Sequence, residues 1–595
     1  MARPSVDPVA LQVLLNRGVF DTIQSFAPGR RLVDWTDGVL AVERGYITVV
    51  EFAPALTFPD ATVIDVAATH GHLELVQWLH ANPLYTITGS PAAIDGAASG
   101  GHVKVIQWLA ANRVDGCSSE ALSNAASGGH LEILQFLRAT YPDISVPGTA
   151  YHEAAENGHI HILNALPPVS HAVTDYPYCL MDSAAKNGHV AVGEWLLARG
   201  LDECSHAMDY AAEGGHLAML KWLHEHELES CSEDAMNWAA NCGHLDVVQW
   251  LHTHRSEGCT VAAVDFAAEN GFLPLVQWLL ANRSEGGSSA ALDLAAKNGH
   301  LHVIEWLHAH TNLDATTAAM DGAAKRGNVA MLDWLRLHRT EGCSRNAMDF
   351  AAEKGHVHVL EWLQQHTTAG CTTDAMDAAA THNQLEALQW LHTHRTEGCT
   401  VEAMAFAAEQ GHLRIVQWLH AHRSEGCTED AMDWAARHNH LAVVAWLHEH
   451  RTEGCSADVV DVIIRAGHLR LLQWWYAHRA ERCTTNAIAL ASEYGHLPIV
   501  AWLSARGEHT THKAMNLAAE AGYLHVLRWL HEHRSEGCSI DAVEAALVEE
   551  QPHVFKWLCT HRTELRLAKC LRLAKEHGPK SLVRWVQTLI ASRKQ

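Results

Sequence analysis

No stretch of this 595-residue chain holds 18 consecutive apolar residues, so none encodes a helix able to cross a bilayer core. The first twenty residues, MARPSVDPVALQVLLNRGVF, lack the charged start and long apolar segment of a secretory signal. Basic charge is also short: 43 Lys and Arg against 68 Asp and Glu give a formal net charge of −25, with no basic run. That balance speaks against a general binder of nucleic acid or of anionic membrane. The expectation is a soluble intracellular protein, cytoplasmic or nuclear. Familiar chemistry is missing too: there is no Gly-rich phosphate loop, no Cys-x-x-Cys, no His-Glu-x-x-His and no Gly-x-Ser-x-Gly. The chain reads as a non-enzyme, with no catalytic, cofactor-binding or metal-binding residue assigned and no cofactor implied.

What the chain has instead is one unit repeated. Thr400 to Cys427, TVEAMAFAAEQGHLRIVQWLHAHRSEGC, recurs with substitutions from about residue 188 to 540. Thr400 can cap a first helix with its hydroxyl, and Glu402 suits the positive end of that helix. Met404, Ala407 and Ala408 share one face, and Gly411 can take the positive φ that ends the helix. A second helix from about Leu413 to His422 is apolar at Leu413, Ile415, Val416, Trp418 and Leu419, an arc wide enough to need cover on two sides. Two ten-residue helices bury too little to fold alone, so the repeat predicts a stack.

The turn position can be followed through twenty units, from Gly45 to Gly578, with spacing of 28 at all ten steps from Gly215 to Gly495. Asn383 and Asn439 stand in for glycine, as the residue that best tolerates the left-handed region. Seven residues after the turn comes a column that holds 17 of the 21 tryptophans, read as packing between second helices with the indole N–H on a carbonyl. Four segments follow: capping helices over 1–36, irregular repeats over 37–187, regular 28-residue repeats over 188–540, and degenerate repeats with a C-terminal cap over 541–595. Pro167-Pro168 predicts a distortion reaching to about Tyr178.

Several columns invite chemistry. His-x-His pairs such as His420/His422 close many second helices, but residues i and i+2 point about 200° apart, so one pair cannot chelate. They read as helix-end histidines serving terminal carbonyls, and the histidine after the turn, as in His412, reads as structural. The 46 histidines would carry the formal charge from −25 to +21 if all were protonated, which predicts acid-sensitive stability. The acidic column six residues before the turn, Asp377 among it, is read as accepting backbone N–H groups in its own or the next unit. Ten of the 15 cysteines share one repeat position and read as small buried thiols. The Arg-Ser/Thr-Glu-Gly link, as at Arg423 to Gly426, predicts charges alternating along an edge.

The columns that vary are the two just before each turn. Lys297/Asn298, Lys325/Arg326, Glu353/Lys354, Thr381/His382, Glu409/Gln410, Arg437/His438 and Glu493/Tyr494 differ in charge and size where core packing sets no demand. They are the candidate partner-binding residues. The aromatics Tyr210, Trp238, Phe266, Phe350, Phe406 and Trp434 lie beside them.

Thr149 to Leu163, TAYHEAAENGHIHIL, resembles the ankyrin signature T-P-L-H-x-A-A-x-x-G-H-x-x-I-V, and other units keep the Ala-Ala-x-x-Gly-His core, as at Ala407, Ala408, Gly411 and His412. The WLHxHRSEGC form looks like the expanded ankyrin families of eukaryotic microbes. The resemblance covers about residues 37 to 590 and implies an all-α ankyrin-type helical repeat solenoid of about 20 helix pairs. A period of 28 against the family's 33 removes residues where the β-hairpin projects, so the fingers are expected to be reduced or absent. It further implies a scaffold binding a protein or peptide on its concave face; the chain is expected to be monomeric, with no nucleic acid and no membrane as partner. The alternative is an adaptor or substrate receptor of ubiquitin-ligase type, recruiting machinery through the N-terminal segment.

Overall fold

In the computed structural model the described residues are 38–47, 63–81, 90–113, 116–168, 179–228, 231–549, 551–562, 565–578 and 580–593. Among them are 39 α-helices and no strand, arranged as successive helix pairs. The links therefore carry no β-hairpin finger in the described residues. No described helix is long and apolar enough to cross a membrane. The capping helices expected over 1–36 lie outside the described residues. The chain divides into two compact units, 1–259 and 260–595.

The pair Glu402–Glu409 and Leu413–His422 shows why the sequence folds this way. Gly411 sits at φ +76°, its N–H donates to Ala408 O at 3.1 Å, and His412 N–H donates to Ala407 O at 2.8 Å. Those two bonds satisfy carbonyls that the helix end leaves free and reverse the chain within three residues. Asn383 and Asn439 do the same at φ 60° and 64°. Spacing put Gly578 in the same column, but it is extended, at φ −104° and ψ 161°. The next residue in sequence is Pro579, and a residue before proline is steered away from helical and turn conformations.

Inside each compact unit, first helices pack on the first helices of neighbouring pairs more closely than second helices pack on second helices. The cause is side-chain size: Ala407 and Ala408 are fully buried methyls, whereas the second helix buries Ile415, Val416 and Leu419. Bulky columns hold helices farther apart than alanine columns do. In the first compact unit the helix Ile160–Ala165 is cut to six residues ahead of Pro167, whose carbonyl accepts from Tyr151 Oη at 3.0 Å. The remainder of the expected distortion, 169–178, lies outside the described residues.

The acidic column ties each first helix to the next. Asp377 Oδ1 accepts Thr400 N–H at 2.9 Å, Oδ2 accepts the Thr400 hydroxyl at 2.7 Å, and that hydroxyl accepts Glu402 N–H at 3.1 Å. The same clip joins Asp65 to Ser90, Asp95 to Ser118, Asp209 to Ser232 and Asp321 to Ser344. The rung is missing where Ala405 takes the acidic position, and there Thr428 turns its hydroxyl to Asp430 at 2.7 Å. Ala405→Asp is expected to restore the rung and stabilise the local interface by about 1 kcal/mol. Slower amide exchange at Thr428 is the readout, and unchanged or faster exchange there would refute it.

Candidate partner-binding face

The tips of the first helices end one residue before each turn, and the stack leaves them at the surface. Lys297, Arg326, Lys354, His382, Gln410, Arg437, His438 and Tyr494 are exposed, whereas Asn298, Lys325, Glu353, Thr381, Glu409 and Glu493 are half-buried. Some of these side chains also serve the stack. Asn298 Nδ2 donates to Glu269 O at 2.9 Å, Thr381 Oγ1 donates to Asp377 O at 2.8 Å, and His438 Nδ1 donates to Trp434 O at 3.1 Å. Beside the tips the aromatic column is half-buried and partly stacked: Phe406 and Trp434 lie 5.5 Å apart at 20°, Tyr210 and Trp238 lie 5.8 Å apart. The column thus packs between repeats and still presents ring edges to solvent.

The histidine after each turn is an inter-repeat staple. His412 Nε2 donates to Thr381 O at 3.1 Å, His468 Nε2 to Arg437 O at 2.8 Å, and His159 Nε2 to Ser127 O at 3.0 Å. A carbonyl only accepts, so the ring hydrogen is on Nε2. The ring lies over the preceding turn glycine, where a Cβ on Gly411 would meet His440 Nδ1 at 2.5 Å. Glycine is thus required both for its positive φ and for the ring above it.

The opposite edge holds the His-x-His pairs. His422 Nδ1 donates to Trp418 O at 2.9 Å and its ring stacks on Trp418 at 4.6 Å, while His420 stands edge-on to the next tryptophan, Trp446, at 5.1 Å. Arg451 Nη1 points to His420 Nδ1 at 3.3 Å, and Arg479 Nη1 to His448 Nδ1 at 3.3 Å. Arg and Glu of one link pair with each other, as Arg479 with Glu481 at 2.6 Å, rather than alternating between repeats. An i,i+2 pair in an extended link is already within reach, and Arg339 adds a longer bridge to Asp314 of the preceding link at 3.5 Å. The tryptophans of the column lie along this edge beside histidine rings: Trp222, Trp250, Trp362, Trp390 and Trp557 are buried, Trp418 is half-buried, and Trp475, outside the column, is fully buried. Where an indole N–H is paired it finds a side chain, Asp333 Oδ1 for Trp362 at 2.8 Å.

The thiol column is less buried than expected. Cys259, Cys371, Cys399 and Cys538 are buried and the other six are half-buried. The links are short, so the cysteine sits at the edge of the core. Burial pushes the Cys117 thiol up to about 12 and Cys371 up to about 11, which keeps both protonated and unreactive at neutral pH.

One concavity holds titratable groups, a pocket of about 220 Å³ lined by His152, Asp182, Ser183, Lys186 and Tyr210 among others. His152 Nδ1 lies 3.0 Å from Ser183 Oγ, but both Asp182 oxygens accept from the next repeat: Oδ1 from Ser205 N–H at 3.2 Å, Oδ2 from the Ser205 hydroxyl at 3.0 Å. The contact occupies the place of the Asp clip in its own repeat. Among the described residues no three His, Cys, Asp or Glu side chains gather as a metal site.

No curated protein matches this chain in sequence. Among solved structures it is similar to the maize pentatricopeptide repeat protein PPR10, at 11% identity and a TM-score of 0.26, covering 100% of this chain and 94% of that one. It is likewise similar to PPR10 in complex with an 18-nt psaJ RNA element, at 11% identity and a TM-score of 0.29, covering 99% and 94%. The exclusion of nucleic acid drawn from net charge is corrected here: helical-repeat chains aligned along this one include an RNA complex. The physical reason is that −25 is a sum over all faces of the chain, and no single face has to share its sign. At such TM-scores the likeness assigns no ligand. Models described as "Ankyrin repeats (many copies)" match residues 64–110, 94–138, 181–224 and 208–252, and "Ankyrin repeats (3 copies)" match 264–377 and 375–461. With those matches spread over more than half of its length, on a stack of helix pairs without strands among the described residues, the chain belongs to the ankyrin-repeat family.

Proposed function

We propose that this chain is a non-enzymatic scaffold that holds a protein or peptide partner along the first-helix face of its second compact unit. Ankyrin repeats in general serve protein–protein interaction. The observation that carries the reading is a division of labour among columns. Turn glycine, turn histidine, Asp clip, alanine pair and rim tryptophan are each occupied within the stack. The exposed tips Lys354, His382, Gln410, His438 and Tyr494 differ from repeat to repeat, and Lys354, Gln410 and His438 flank the half-buried rings of Phe350, Phe406 and Trp434. Aromatic and charged side chains beside one another are the usual anchors of an interface. Closer packing of the first helices also puts the shorter, inward arc of the second unit on their side.

The test compares capture of partners by the full chain and by a Gln410→Ala, His438→Ala, Tyr494→Ala variant. A partner bound by the parent and weakened at least about tenfold in the variant, with an unchanged melt, is expected. A partner that the variant retains, and that is lost instead when the rim residues His420 and Arg451 are replaced by alanine, would overturn the assignment of the face.

A further inference from the structure

We infer that the tips of three successive repeats, turning at Gly299, Gly327 and Gly355, bind an acidic peptide segment in extended conformation. The inference rests on the first-helix face being the partner-binding face, and it names the chemistry of one part of the partner. Lys297, Lys325, Arg326 and Lys354 project from the ends of the helices Ser289–Asn298, Thr317–Arg326 and Asn346–Glu353. In a chain with 25 excess acidic charges this is a local inversion of sign.

Cations are favoured at helix C-termini by the backbone dipole, which explains their placement but not their missing counter-ions. One carboxylate answers them. Glu353 lies 2.9 Å from Lys354 Nζ and 3.4 Å from Lys325 Nζ, so the cluster keeps a net charge of about three. Arg326 Nη1 donates to Asn298 O at 2.7 Å, a neutral acceptor, and Lys297 has no ion pair among the described residues. Packing holds the cations in place with their charge outward. A Cβ on Gly322 would come within 2.7 Å of Lys297 Cβ, so the glycine provides the notch in which the lysine stem lies. Lys325 Nζ sits 4.5 Å above the Phe350 ring, yet the Lys325 and Lys354 side chains remain 40% and 43% exposed. Cations fixed before binding lose little freedom when an anion arrives.

The cluster is short. The tips on either side are Glu269/Asn270 and Thr381/His382. Three tips at roughly 10 Å per helix layer span about 20 Å, and an extended chain advances about 3.3 Å per residue. The matching ligand is a segment of about seven residues with an acidic side chain at every third position. A nucleic-acid strand is favoured less, because a phosphate backbone wants a longer run of cations with free aromatic faces, and here Lys325 covers the one ring in reach.

The test titrates the full chain into a fluorescein-labelled peptide with glutamate at every third position of a seven-residue core, at about 50 mM salt. Saturable binding is expected, weakened at least about tenfold by Lys325→Glu with Arg326→Glu and unchanged by Arg414→Glu on a second helix. Lys297→Gln with Lys354→Gln, which adds no repulsion, is expected to give a smaller loss at an unchanged melt. Absence of saturable binding by the parent chain, or equal binding by the charge-reversal variant, would overturn the proposal. So would a uridine oligonucleotide of about twelve residues that binds more tightly and displaces the peptide, which would assign the patch to nucleic acid. If peptide binding fails while the Gln410, His438, Tyr494 variant still loses its partner, the face stands and only its acidic ligand falls.

Discussion

Asp377→Leu is expected to destabilise the interface between the repeats turning at Asn383 and Gly411 by about 2–3 kcal/mol, whereas Asp377→Asn is expected to cost less than about 1 kcal/mol. Leucine leaves the Thr400 N–H and hydroxyl without their acceptors at 2.9 and 2.7 Å, in a position where Asp377 is only 8% exposed. The loss is tempered because the carboxylate is itself uncomfortable there: burial raises Asp377 above the usual carboxylate range, against the lowering from its Thr400 bonds. Asparagine has a working precedent in this chain. Asn516 Oδ1 accepts Ser539 N–H at 3.0 Å, its Nδ2 donates to Ser539 Oγ at 2.6 Å, and the serine hydroxyl turns to Asp541 at 2.9 Å. Thr400 could turn to Glu402 in the same way. A repeat array need not unfold in one step, so the measurement must be local. Amide exchange over 402–409 is expected to accelerate about 30- to 100-fold in the leucine variant, at about 1.4 kcal/mol per tenfold, and little in the asparagine variant. Equal acceleration in both would show that the clip's geometry is not what matters.

The contrast between what the sequence showed and what it hid follows from where each partner lies along the chain. Gly411, Asn383 and the alanine pair act inside their own repeat, so the period displays them directly. Asp377 also declared itself, because a carboxylate kept beside apolar columns must be accepting hydrogen bonds. The Arg451–His420 contact was invisible. Its partners are 31 residues apart, three beyond the period, and belong to different columns. The same separation hid the staple from His412 to Thr381 O. Columns were legible one at a time, but the offset between stacked repeats, which decides which columns meet, is a property of packing. Gly578 failed for a local reason, the following proline, and the half-buried Trp418 failed because the histidine rings beside it were not counted as its cover. The proposed partner-binding tips are what is left over once every other column has a task, a reading that points to a surface without naming what lies on it.

Acidification from pH 7.5 to 5.5 is expected to lower the melting temperature by several degrees, and His412→Gln with His440→Gln is expected to flatten that response. Burial holds the imidazoles of His102, His159, His216, His300, His356, His412 and His440 below their ordinary value of about 6.5. The fold disfavours their protonated form, so between the two values the unfolded chain binds more protons than the folded chain. Their stabilisation is complete above about pH 6.5 and is lost as pH falls from there toward each folded value. Each group protonated only on unfolding steepens the slope by at most about 1.4 kcal/mol per pH unit. Around His412 burial is the largest cause and the neighbouring His440 and His382 also oppose a second proton, against the bond to Thr381 O, which favours it. Carboxylates act in lower windows. Hydrogen bonds from Arg395 hold Glu397 at about 2, and that contribution is full above about pH 4.5 and lost below it. Asp349 and Asp377, raised by burial, work oppositely and gain as pH falls toward their unfolded value near 3.8. A loss between 7.5 and 5.5 therefore belongs to imidazoles. Gln384 already occupies the turn-histidine place above Gly355 with no titratable group, so glutamine at 412 and 440 should keep the stack. A parent chain whose melt is flat across that range, or a glutamine variant with the parent's slope, would show that the staple does not sense protons.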